Sequence, residues 1–150
     1  MTDKRCVWFN ELTRNDVPLA GGKGANLGDM FQAGLPVPPG FVISAPAYRQ
    51  VVQQADLENR ISDLLLDLDR SVCEQLQNVE PLIRDLFTDV PIPAALEDAI
   101  VSCYRQLGDE VLVAVRSSAT AEDLAGASFA GQQETLLNVF GAEALLRAVR

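Results

Sequence analysis

The middle of the chain, from 57 to 87, carries apolar residues at helical spacing. Two apolar stripes recur every three or four positions, as on one face of an α-helix. The stripes comprise Leu57, Ile61, Leu64, Leu65 and Leu68, and then Val72, Leu76, Val79, Ile83, Leu86 and Phe87. Ser44 can cap a further helix before them, and Pro93 can open another after them. The pattern predicts helices over most of 45–107, with apolar faces in the core.

Short apolar runs flank this helical middle. They lie near 7–10, 41–43, 111–117 and 135–139, and turn residues or polar clusters separate them from their neighbours. Such a change from helical spacing to short runs predicts an α+β fold with a small, mostly antiparallel sheet. The last residues, "GAEALLRAVR", begin another helical pattern and stop within it. We therefore expect a chain cut from a longer protein.

Composition narrows the function classes. The chain has 150 residues, 48% of them hydrophobic, and a net charge of −9. That charge argues against a nucleic-acid partner, and no apolar run approaches the ~20 residues of a membrane span. Its start does not resemble a secretion signal, so we expect a cytoplasmic protein. The three cysteines show no metal-binding spacing and are expected to be buried thiols. There is no histidine, so a mechanism that needs one requires another part of the protein.

The stretch "LAGGKGANLGDM" (19–30) places Gly21, Gly22 and Gly24 around Lys23, just before a predicted helix. It matches neither the P-loop nor the dinucleotide-binding pattern. Glycine backbone N–H groups can nevertheless approach an anion, a helix N-terminus attracts negative charge, and a lysine adds a mobile positive charge. The stretch therefore suggests a phosphate loop with backbone contacts from Gly22 and Gly24. A plain turn with a solvated lysine explains the same residues.

A second stretch, "VAVRSSATAEDLAGASFAGQQETLLNV" (113–139), begins with a predicted buried strand, and that strand ends in Arg116. A guanidinium there suits bidentate contact with a phosphate, and the hydroxyls of Ser117 and Ser118 follow directly. The long segment of small residues after them has the composition of a flap over a ligand. A structural ion pair between Arg116 and Glu122 or Asp123 remains open as the alternative.

Together these two stretches resemble the N-terminal nucleotide-binding domain of the pyruvate phosphate dikinase superfamily, and within it the phosphoenolpyruvate synthases. The resemblance implies that residues 1–150 are the first part of an ATP-grasp-like domain. It also implies that Lys23 and Arg116 contact ATP phosphates, and that Gly131 and Thr135 belong to a segment over the nucleotide. If Lys23 and Arg116 serve one triphosphate, their charged ends should lie within about 10 Å of each other, roughly a Debye length. Mg²⁺ ligands, catalytic residues and the pyruvate-binding domain would lie beyond this stretch, and a homodimer of the full-length enzyme is compatible with the resemblance.

The family's reaction passes a phosphoryl group from ATP to a histidine on another domain and then to pyruvate. This chain would hold only the donor end, since it has no histidine. Two alternatives stay open: the ATP-binding part of a rifampicin phosphotransferase-like enzyme, and a nucleotide-binding module without turnover. One departure from the family pattern is "LAGAS", where Gly126 would loosen the loop.

Overall fold

The computed structural model describes residues 4–66, 68, 73–108, 110–120 and 135–150. These residues form six α-helices and four short strands, and four of the helices follow one another between the two pairs of strand segments. The strands are β1 (Cys6–Trp8), β2 (Phe41–Ile43), β3 (Val113–Arg116) and β4 (Thr135–Val139). The helices are α1 (Val17–Gln32), α2 (Ala45–Gln54), α3 (Leu57–Leu65), α4 (Cys73–Thr88), α5 (Ala94–Leu107) and α6 (Ala142–Val149). The predicted α+β class is confirmed.

All four strands pair in antiparallel fashion, but within the described residues they form two sheets of two strands each. In the first sheet β1 pairs with β2, which sets Trp8 opposite Phe41. In the second sheet β3 pairs with β4, and the register shifts between Val113 and Val115. The sequence predicted the four segments and their antiparallel pairing in a single small sheet, whereas the described strands form two separate sheets.

The helical middle agrees with the apolar spacing. Helices α3 and α4 cover most of the described part of 57–87, and no strand occurs among those described residues. The predicted cap is also present, because the Ser44 hydroxyl accepts a hydrogen bond from the Ala47 amide at 3.3 Å. The first stripe is buried mainly at its start: Leu57 is 1% exposed, whereas Leu65 is only half-buried. Helix α3 therefore covers the core with its N-terminal end.

The main core lies between α5 and the strands. Ile100 and Tyr104 of α5 are 0% and 2% exposed, and Leu145 of α6 packs with them. The Tyr104 hydroxyl donates a hydrogen bond to the Val111 carbonyl at 2.8 Å and accepts one from the Gly141 amide at 2.9 Å. This buried phenol joins α5 to the residues just before β3 and just after β4, and so fixes the second sheet on the helix. Among the described helices, none is long and apolar enough to cross a bilayer.

A smaller core holds α1 against the first sheet. Its buried members are Val7, Leu12 and Ala20. Helix α1 approaches so closely that a Cβ at Gly28 would lie 2.5 Å from the Leu12 Cβ, and a Cβ at Gly24 would lie 2.9 Å from a Val42 methyl group. Both glycines are therefore required by packing, which the sequence pattern did not indicate.

Candidate functional site

The glycine-rich stretch is mostly helical rather than an open loop. Helix α1 runs through it, and Gly21 alone departs from helical geometry, with φ 69° and ψ 170°. Glycine adopts this conformation readily, whereas other residues adopt it only with strain. The break divides α1 into a short first turn and a second piece that begins at Gly22. The first N–H groups of that second piece have no acceptor within the helix.

The second stretch supplies those acceptors. The Gly22 amide donates to the Ala119 carbonyl at 3.0 Å, and the Gly24 amide donates to the Ser118 hydroxyl at 3.4 Å. The same hydroxyl donates to the Ala20 carbonyl at 3.1 Å, on the other side of the break. We call these three hydrogen bonds the 118–119 clip. The two stretches that the sequence singled out are thus in direct contact.

The clip bears on three predicted phosphate contacts. The backbone N–H groups of Gly22 and Gly24 already have acceptors within the chain. The hydroxyl of Ser118 likewise has partners on both sides of the Gly21 break. A phosphate bound by these groups would require the clip to open. Their contact with phosphate remains a prediction.

Strand pairing brings two further predicted residues together. Arg116, the last residue of β3, lies opposite Thr135, the first residue of β4. Directly opposed residues in an antiparallel pair have side chains on the same face and Cβ atoms roughly 5 Å apart. Both residues are exposed, as is Ser117 beside them. No salt bridge of Arg116 occurs between described residues. Gly131 and Gly126, and the alternative ion-pair partners Glu122 and Asp123, lie outside the described residues.

Lys23 lies on the helical turn that the clip holds. It is half-buried and stands between Gly22 and Gly24, whose amides bond to the second stretch. Arg116 is two residues before Ser118 on that stretch, a span of at most roughly 7 Å. The backbones that carry the two positive charges are therefore held close together by the clip. The 10 Å separation expected for their charged ends remains a prediction.

Comparison with known proteins identifies the family. The family profile described as pyruvate phosphate dikinase, AMP/ATP-binding domain, matches residues 17–150. The chain belongs to this family. Both clipped stretches fall within the matched region.

Curated relatives extend the similarity. The chain is 48% identical to a probable phosphoenolpyruvate synthase of Methanocaldococcus jannaschii, over 98% of its own length and 13% of that protein's. It is 46% identical to a probable phosphoenolpyruvate synthase of Methanothermobacter thermautotrophicus, with 98% of the chain and 22% of the relative covered. It is 44% identical to the phosphoenolpyruvate synthase of Aeropyrum pernix, with 100% and 19% covered. The chain thus spans less than a quarter of these relatives.

Ala20 and Ala119 contribute to the site through their backbone carbonyls, and sequence reasoning missed both. Every residue has a backbone carbonyl, so residue type could not have identified these two acceptors.

A groove of about 660 Å³ between α5 and α6 contains none of the predicted site residues. Its charged lining includes Glu97, Asp98, Arg105 and Glu143. In the described part of the chain, no cluster of three or more acidic, cysteine or histidine side chains could hold a metal ion.

Proposed function

We propose that this chain supplies the phosphate-binding part of the ATP site in a phosphoenolpyruvate synthase. That enzyme converts ATP, pyruvate and water to AMP, phosphoenolpyruvate and phosphate, through a phosphohistidine on another domain. Family membership supports the nucleotide, and the names of the relatives favour pyruvate over a drug as acceptor. The observation that carries the proposal is the 118–119 clip, which joins the Lys23 turn to the strand that ends in Arg116.

In this proposal the chain's own residues bind and orient the phosphates. The guanidinium of Arg116 offers paired donors for bidentate contact, and the ammonium of Lys23 neutralises charge without fixed direction. Thr135, opposite Arg116 in the strand pair, offers a hydroxyl on the same face. Phosphoryl transfer depends mainly on such positioning and charge neutralisation. The acceptor histidine must come from elsewhere in the protein, since this chain has none.

Mg²⁺ would accompany ATP in this class of reaction and would offset the charge of the phosphates. The described residues do not include a cluster of three or more acidic, cysteine or histidine side chains that could hold it. The further expectations also remain proposals: an ATP-grasp-like domain whose second half lies beyond these residues, a cytoplasmic location and a homodimer.

The test is product analysis on the complete protein. ³¹P NMR and chromatography of a reaction with ATP, Mg²⁺ and pyruvate should show AMP, phosphate and phosphoenolpyruvate in equal amounts. The reaction without pyruvate is the control, and a reaction with rifampicin in place of pyruvate tests the alternative acceptor. If AMP forms only with rifampicin, the pyruvate reaction is excluded. If ATP is neither bound nor consumed under any of these conditions, the nucleotide site is excluded as well.

A further inference from the structure

The break at Gly21 leaves a helix end that cannot cap itself. An N-cap normally accepts a hydrogen bond from the second or third amide of its helix through its own side chain. Gly21 stands at that position before Gly22 and has no side chain to offer. The Ser118 hydroxyl accepts from the Gly24 amide instead, across 94 positions of sequence. Ser118 therefore caps this helix end from the second stretch.

The fit between the two residues is reciprocal. A Cβ built on Gly21 would lie 2.2 Å from the Ser118 hydroxyl oxygen and 3.0 Å from the Ser118 Cβ. The hydroxyl therefore occupies the space that any other residue at 21 would need. It also uses its single donor on the Ala20 carbonyl, so it bridges both sides of the break. Ala119 adds the third bond, to the Gly22 amide.

We propose that Ser118 is a positioning residue, which sets the turn carrying Lys23 against the strand carrying Arg116. It acts through the clip and not by touching the nucleotide. The inference rests on the proposed function, because it assigns the clip to the alignment of two phosphate-binding charges. Without the hydroxyl, the Lys23 turn loses two of the three hydrogen bonds that hold it to the second stretch. ATP would then have to order that turn itself, and a site that must be ordered on binding has lower affinity.

The experiment compares Ser118→Ala with Ser118→Thr in the complete protein. The matched control is Ser62→Ala, which removes an exposed hydroxyl on α3. Hydrogen-exchange mass spectrometry without nucleotide follows the amides of peptides that cover 19–26. Calorimetry follows the affinity for a non-hydrolysable ATP analogue. A lost hydrogen bond of ordinary strength predicts exchange roughly two- to tenfold faster in Ser118→Ala, and affinity lower by a similar factor. Ser118→Thr, which keeps the hydroxyl, should lie closer to the parent.

A second variant disrupts the clip from the first stretch. Gly21→Ala places a Cβ against the Ser118 hydroxyl, so it should accelerate exchange in the same peptides. Combined with Ser118→Ala it should add less than it does to the parent, since both changes remove the same hydrogen bonds and only the strain of the positive φ at position 21 is separate. Additive effects of the two substitutions would contradict the clip.

The outcomes separate this inference from the proposed function. Unchanged exchange in Ser118→Ala overturns the clip, whatever happens to ATP. Faster exchange with unchanged analogue affinity overturns the positioning role and leaves the ATP site intact. If the parent protein does not bind the analogue at all, the proposed function fails and the positioning role fails with it, while the exchange result still reports on the hydrogen bonds.

Discussion

The Arg116→Ala substitution tests whether Arg116 contacts phosphate or has a structural role, because the two roles predict different effects on activity and on stability. Arg116 is exposed at the end of β3, and no ion pair between described residues involves it. Its removal should change the free energy of unfolding by no more than about 0.5 kcal/mol, as for other surface positions. A lost charge-assisted contact with phosphate costs about 1.5–3 kcal/mol, which corresponds to roughly a ten- to hundredfold loss in kcat/KM for ATP.

Two further substitutions calibrate the result. Arg116→Lys keeps the charge without the planar fork, so its activity should lie between the parent and Arg116→Ala. Ile100→Ala empties a position that is 0% exposed, and it should lower the free energy of unfolding by about 2–5 kcal/mol. Urea unfolding and initial rates of AMP formation, measured on the same preparations, give both quantities. The reasoning is refuted if Arg116→Ala unfolds as early as Ile100→Ala yet turns over normally while folded.

Two other predictions concern stability. Tyr104→Phe leaves the Gly141 amide and the Val111 carbonyl without their buried partner, so it should cost about 2–4 kcal/mol in urea unfolding; a cost below ~0.5 kcal/mol would contradict the bridge. Burial, together with the neighbouring Cys103 thiol, raises the pKa of Cys6 from 9.0 to about 12. Because the folded state holds this proton more tightly, the contribution is complete below pH 9 and is lost as pH rises towards 12. The unfolding free energy of Cys6→Ala should therefore fall less steeply over that range than the parent's; equal slopes would contradict the shift.

The elements with local signals were predictable. Ser44 caps α2, and the apolar stripes of the middle place α3 and α4, because helix caps and helical spacing are properties of neighbouring residues. The pairing of short strands into two sheets was not predictable in the same way. Which strand pairs with which depends on contacts between distant segments, and here the buried Tyr104 hydroxyl fixes the second sheet on α5.

The glycine stretch shows why local signals mislead. A glycine within a helix costs about 1 kcal/mol relative to alanine, so several of them in a row indicate a turn. Here the helix continues through all but one of them. Gly24 and Gly28 allow α1 to approach Val42 and Leu12, and that packing offsets the weak helix propensity. Only Gly21 has the positive φ that the turn prediction assumed for the stretch.

The residues of the candidate site also differ in how far the sequence could identify them. Lys23, Arg116 and Thr135 could be named from the resemblance, since each is a side chain that a motif retains. The function of Ser118 could not, because its partners are backbone atoms 94 and 98 positions away. A serine after a strand reads equally well as a phosphate ligand or a cap. In the structure the hydroxyl bonds to the backbone of the first stretch, as the side chain of a cap does, and its contact with phosphate remains a prediction.

The clip changes how an acidic protein would hold a triphosphate. In a P-loop, backbone N–H groups and the helix dipole hold the phosphates. Here the amides of Gly22 and Gly24 bond within the chain, so in the proposed site the side chains of Lys23 and Arg116 would recognise the phosphates. With a net charge of −9, those two cations would act against the field of the whole chain. The alignment of the two cations therefore matters more than the total charge. In the inference above, the Ser118 hydroxyl aligns them through the 118–119 clip.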